Sequence, residues 1–130
     1  MSLQLDTNAV VALVVADRQE QREAVLLAVE RAVSAGDCVV VSEAVLVESF
    51  WVLQTRYGLS EPEVADRLRA ILSAGGVEPF DARLAETALL VAQRAPALSI
   101  VDCLLVARAE AHGDAVLTFD KRLAREVSGL

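Results

Sequence analysis

The sequence predicts an α/β fold: one domain over residues 1–130, built on a mostly parallel sheet of four to five strands with helices on both faces. Three observations predict it. Short apolar runs (Leu3-Gln4-Leu5, Cys38-Val39-Val40-Val41, Val77-Glu78-Pro79-Phe80 and Ala115-Val116-Leu117-Thr118) alternate with longer stretches of helical periodicity. The runs lie too far apart for hairpins, which favours parallel pairing through helical crossovers. And 130 residues, 55% of them hydrophobic, suffice to bury a core without disulfides.

The first run delivers Asp6 to a strand end, where Asn8 is placed to cap the following helix. Asp17-x-x-Glu20 resembles a helix-start box. It opens an amphipathic helix with Val25, Leu26, Val29 and Val33 on one face and Gly36 at its end. Arg18, Glu20, Arg22, Glu23, Glu30 and Arg31 mix both signs, the pattern of a solvated face. Cys38–Val41 is a β-branched buried strand, and Ser42 caps a helix running to Tyr57, stopped by Gly58. Ser60-x-x-Glu63, with Pro62 in the first turn, starts another helix that Gly75-Gly76 closes. Val77–Phe80 is a strand near an edge, because Pro79 cannot donate to a ladder. Asp81 caps a helix through Arg94, and Pro96 breaks the chain. Ser99 caps the helix from Ile100 to His112, with Gly113 beyond it. Ala115–Thr118 is the last strand, and Asp120 begins a short terminal helix.

Composition narrows the class. No apolar run approaches the roughly 18–20 residues of a membrane span, and the N-terminus lacks a secretory pattern, so a cytoplasmic protein without a membrane partner is expected. Cys38 and Cys103 sit in apolar sequence, read as core hydrophobes, and have no zinc-ligand spacing. The net charge of −7 counts against nucleic-acid binding, although all but one of the basic residues are Arg, which can grip phosphate in a fork.

Four acids break apolar sequence. Asp6 and Asp120 each follow a strand, Glu48 lies in Val45-Leu46-Val47-Glu48-Ser49-Phe50-Trp51-Val52, and Asp102 lies in Ser99-Ile100-Val101-Asp102-Cys103-Leu104-Leu105-Val106. Burying an unpaired carboxylate costs several kcal/mol, roughly, or drives it to its neutral form. Ligands bind at the carboxyl ends of open α/β sheets, so all four acids are expected to meet there around Mg²⁺ or Mn²⁺. Such ions can activate water for phosphodiester hydrolysis.

Asp6-Thr7-Asn8 after a strand, Glu48 in an apolar helix, Ile100-Val101-Asp102-Cys103-Leu104-Leu105-Val106-Ala107 and Thr118-Phe119-Asp120 together resemble the acidic motifs of PIN-domain ribonucleases. The resemblance is closest to the VapC toxins of VapBC toxin–antitoxin modules and covers nearly the whole chain. It implies a single PIN domain, an endoribonuclease using one or two Mg²⁺ or Mn²⁺ ions, a homodimer, an RNA substrate and a cognate VapB-type antitoxin. It implies Asp6, Glu48, Asp102 and Asp120 as catalytic metal ligands, with Thr7, Asn8 and Thr118 orienting ligands or waters. Arg122 stands where many relatives carry another acid, which questions a second ion; Lys121 and Arg122 could guide RNA.

Plainer readings stand beside these. Asp6 could be a helix-start residue, Ser99-x-x-Asp102 a capping box and Asp120 an N-cap. Arg125 reads as part of a solvated helix, Arg108 as solvent-facing and His112 as a helix-end cation. Trp51, Phe50 and Leu53 read as core sooner than as a partner surface, while Val64, Leu68, Ile71 and Leu72 fit equally a core face or, as the resemblance implies, a groove for an antitoxin segment. A haloacid-dehalogenase-type phosphatase would need an acid at Asn8, and a receiver domain an acid beside Asp6; both are excluded. The remaining alternative is a catalytically silent PIN-like module that binds RNA or a protein.

Overall fold

The computed structural model describes residues 2–127. Along the chain come β1 (Ser2–Gln4), α1 (Thr7–Val14), α2 (Gln19–Ser34), β2 (Cys38–Val41), α3 (Glu43–Thr55), α4 (Glu61–Ser73), β3 (Val77–Pro79), α5 (Ala82–Arg94), α6 (Ile100–His112) and α7 (Lys121–Ala124). The sheet is parallel, in the order β1-β2-β3. Pro79 ends β3 at an edge, as its missing N–H requires.

Register divides the sheet into two unlike faces. Leu3, Val39 and Val77 are in register, and Val41 pairs with Pro79. Of this face, Val39, Val41 and Val77 are buried. The opposite row, Gln4, Val40 and Glu78, is exposed at both ends, and Ser2 and Cys38 beside it are exposed too. Helices therefore cover one face closely and leave the other more open, with cover there around half-buried Val40. Polar residues at alternate positions of β1 and β3 are the cause. Cys38 shares that exposed row and is not a core residue, whereas Cys103 is fully buried.

Helix boundaries follow local chemistry closely. Ser42, Ser60, Asp81 and Ser99 each cap the helix they precede, and Ser60–Glu63 closes a reciprocal capping box. Gly113 ends α6 at φ 71°, a left-handed conformation that glycine adopts without a Cβ penalty. Two caps differ. Asp6, not Asn8, caps α1, and Asn8 lies inside the helix. Asp17-x-x-Glu20 makes no box, because α2 begins after Arg18 with no side-chain cap. The core joins Val11, Val39, Phe50, Leu53, Val64, Leu68, Leu89 and Val91, all almost wholly buried. Ile71 and Leu72 pack partly against it. Trp51 does not join: it is 59% exposed, one position along α3 from Phe50 and so on another face.

The direction of α6 shapes the rest. β3 ends at the carboxyl edge, so α5 starts there. A short connection, residues 95–99, then sends α6 back antiparallel to α5. Two contacts locate its C-terminal half: Arg108 Nη2 donates to Glu43 Oε2 at 2.9 Å, and His112 shares a recess with Asp81. Both partners begin helices at the carboxyl edge. The chain after Gly113 thus starts at the wrong end of the sheet for a further parallel strand. Residues 115–118 accordingly form no strand, and the described sheet has three strands rather than four to five. Leu117 and Phe119 are 74% and 99% exposed, and Val116 alone of this run packs partly on the core.

Candidate functional site

The carboxyl side of the sheet carries Asp6 and Glu48. Asp6 follows β1 directly, is exposed, and accepts a hydrogen bond at Oδ1 from the Ala9 N–H (2.9 Å). Thr7, half-buried, opens α1. Asn8 Oδ1 accepts from Arg18 Nη1 at 3.4 Å, while Arg18 Nε donates to the Tyr57 hydroxyl at 3.0 Å. The Arg18 guanidinium also lies 5.9 Å from the Tyr57 ring centroid. An open recess of about 930 Å³ passes Asn8 and Arg18 between α1 and α2. Sequence reading missed Arg18 as a local organiser, because its partner Tyr57 is far along the chain.

Glu48 is exposed, despite its apolar neighbours in sequence. The apolar residues of α3 divide between a buried side, Leu46, Phe50 and Leu53, and an open side. On that open side Glu43, Ala44, Val47, Glu48 and Trp51 line a recess of about 670 Å³. A carboxylate there is solvated and needs no counter-charge to be tolerated.

Asp102 stands apart. It is half-buried in the first turn of α6, where its N–H donates to Ser99 Oγ (3.2 Å) and its Oδ2 accepts from the Ser99 N–H (3.4 Å). Its acidic neighbour is Glu61, at the start of α4, a residue that sequence reading passed over. Glu61 is only 6% exposed, and its Oε2 is buried without a hydrogen-bond partner among the described residues. Burial first, and the Asp102 charge second, push its carboxyl up from 4.5 to about 7. The Cys103 thiol, fully buried, is pushed up to about 12 by desolvation and then by the charges of Glu61 and Asp102. The signal for Glu61 in the sequence was faint: an acid at a helix start normally reads as a solvated dipole partner.

Asp120 caps α7. Its Oδ1 accepts from the N–H groups of Arg122 (2.8 Å) and Leu123 (3.4 Å), and these bonds, with the Arg122 charge, hold its carboxyl below the usual carboxylate range. Arg122 Nε approaches to 3.7 Å, and Lys121 is exposed. Thr118 Oγ1 accepts from the Asp120 N–H at 3.0 Å and so fixes the turn that presents the carboxylate. Arg94 Nη2 reaches Glu126 Oε2 at 2.9 Å, which ties the following segment to the end of α5.

Among the described residues, no three acids, histidines or cysteines are grouped so that they could hold a metal ion. The set Asp6, Glu48, Asp102 and Asp120 therefore does not fit a shared ion in this arrangement. Also among the described residues, no helix is long and apolar enough to cross a membrane. Comparison with known families matches residues 4–128 to the family described as PIN domain. A comparison with curated proteins finds no match.

Proposed function

Because the chain belongs to the PIN domain family, whose members are commonly metal-dependent nucleases, we propose that it is an endoribonuclease that hydrolyses RNA phosphodiester bonds. The observation that carries this reading is the extent of the family match: residues 4–128 contain Asp6, Glu48, Asp102 and Asp120. The proposal assigns these four carboxylates to the reaction, with Thr7, Asn8 and Thr118 as positioning residues and Lys121 and Arg122 as guides for RNA. Hydrolysis needs a group to take a proton from the attacking water and positive charge near the phosphate. Asp6 and Glu48 offer exposed carboxylates for the first task, and Arg122 beside Asp120 offers a cation for the second. Mg²⁺ or Mn²⁺ belongs to the proposal as a requirement of the activity. No step is assigned to the ion, since the four acids do not form one seat for it.

The finer reading is a cytoplasmic VapC-type toxin, a homodimer held in check by a VapB-type antitoxin. Val101 and Leu105, one turn apart and exposed on α6, support self-association. The Trp51 recess, flanked by Glu43 and Glu48, suits a basic segment with apolar anchors, as an antitoxin tail would supply. The test is cleavage of RNA by the purified chain with Mg²⁺ or Mn²⁺. Cleavage that EDTA stops, and that Asp6→Asn abolishes, is the expected result. The second reading, a silent PIN-like binding module, is favoured by the lack, among the described residues, of three acids grouped to hold a metal ion and by the net charge of −7. RNA left intact under every metal, by wild type and Asp6→Asn alike, would establish it instead.

A further inference from the structure

Of the aromatic residues only Phe50 is buried, and Tyr57 is half-buried against Arg18. Trp51, Phe80 and Phe119 stand open, at 59%, 69% and 99% exposure. Their charged surroundings differ. Glu43 and Glu48 share the recess of Trp51, and Phe80 lies in the chain between Glu78 and Asp81. Phe119 is instead followed within residues 119–125 by three exposed cations, Lys121, Arg122 and Arg125, against one acid, Asp120. On a chain of net charge −7 this is a local excess of the opposite sign. The backbone beside the ring is also fixed. Thr118 Oγ1 accepts from the Asp120 N–H at 3.0 Å, and Asp120 Oδ1 accepts from the N–H groups of Arg122 (2.8 Å) and Leu123 (3.4 Å). Leu123, 4% exposed, anchors the following turn in the core. Phe119 is thus held out to solvent from an ordered turn, although burial would favour so large an apolar ring.

We propose that Phe119 is a positioning residue that stacks on one unpaired RNA base, while Lys121 and Arg122 hold the adjoining phosphates. A flat apolar ring beside cations matches a nucleotide, which carries a π face and a negative charge in every repeat. Base–aromatic stacking tolerates any base but needs that base free of a pairing partner. Phe119 precedes Asp120 directly, so the stacked base would sit next to the phosphate on which that carboxylate is proposed to act. The inference rests on the nuclease reading for the choice of RNA and for the role of Asp120, and deepens it. It adds a side chain that fixes where the strand lies, a task that neither the acids nor the flexible cations perform.

The experiment measures binding of the full chain to a short labelled single-stranded RNA by fluorescence anisotropy, with EDTA present so that the strand stays intact. Phe119→Leu, apolar but without a π face, should weaken binding by roughly 5- to 100-fold, the range that one base–aromatic stack carries. Phe119→Trp should bind at least as tightly as wild type. A strand of equal length and charge whose sugars carry no bases should bind wild type and Phe119→Leu alike. Leu117→Ser removes a 74% exposed apolar side chain that has no ring, and should leave RNA affinity unchanged. Phe119→Leu that binds RNA like wild type, or that loses affinity equally for the baseless strand, overturns the proposal, as does wild type with no affinity for RNA. Self-association lost in Phe119→Leu while RNA affinity is kept would assign the ring to a second copy of the chain and overturn it too. RNA cleavage separates the two readings. Cleavage abolished by Asp6→Asn, with RNA affinity indifferent to Phe119→Leu, keeps the nuclease and removes the stack. RNA held through Phe119 by a chain that cuts none with Mg²⁺ or Mn²⁺ does the reverse.

Discussion

Replacing Glu61 with Gln should stabilise the protein above neutral pH and leave it unchanged near pH 4.5. The folded chain holds the Glu61 carboxyl at about 7, against 4.5 for an unperturbed one. Between those values the native state binds more protons than the unfolded state, so unfolding free energy falls as pH rises. The contribution is fully present below about 4.5 and fully lost above about 7. At about 1.4 kcal/mol for each tenfold in proton affinity, the gap amounts to at most about 3 kcal/mol. Gln copies the neutral carboxyl and has no proton to lose. The two chains should match at pH 4.5, and the variant should be more stable by about 2–3 kcal/mol at pH 8. For a domain of this size that corresponds to roughly 8–12 °C in melting temperature. Urea unfolding in metal-free buffer at pH 4.5, 6 and 8 measures it. The difference between variant and wild type removes the opposite trend of Asp120 and Glu63, whose hydrogen bonds hold their carboxyls low and whose contribution disappears only as pH falls through those lowered values. A wild-type-minus-variant difference that stays constant across pH would refute the burial of this carboxyl.

Three other perturbations probe the rest of the frame. With a thiol-reactive chromogen at pH 8, Cys38, exposed on the open sheet face, should react at once, whereas Cys103 should react only after unfolding; two fast thiols would contradict its burial. Phe50→Ala should cost about 3–5 kcal/mol in urea unfolding, because the ring is wholly buried between α3 and its neighbours, while Trp51→Ala should cost far less. Ser99→Ala removes the hydroxyl that accepts from the Asp102 N–H, while the reciprocal bond from the residue-99 backbone N–H remains, and should cost about 1 kcal/mol by the same measurement; an unchanged midpoint would mean that α6 is capped some other way.

Much of this was legible in the sequence wherever local chemistry decides. The Ser99 and Gly113 signals bounded α6 at its observed ends, and Asp81 with Pro96 bounded α5 almost as closely, because caps and breakers act within one turn. Burial of side chains was legible only in part. The apolar run around Glu48 looked buried all round, yet α3 is covered on one side, so Phe50 and Leu53 went in while Glu48 and Trp51 stayed out. The Ala115–Thr118 run had strand composition but no strand edge at hand, and β propensity expresses fit to a neighbouring surface rather than an intrinsic backbone preference. Glu61 was illegible, since nothing near it in sequence announces that α6 will begin beside it.

The placement of Asp102 shows why convergence of acids was the hardest inference to draw from spacing. A strand fixes the edge at which the next helix starts, as β1 does for Asp6 and β2 for α3. Between β3 and α6 the chain makes one helix and no strand, so the start of α6 is set by how α5 packs on its neighbours. The same holds between β2 and β3, where α3 and α4 follow one another and Tyr57, just past α3, is tied through Arg18 to Asn8. Acids handed over directly by a strand are placed by the sequence pattern, whereas an acid reached through a second helix is placed by contacts far along the chain, which spacing does not encode.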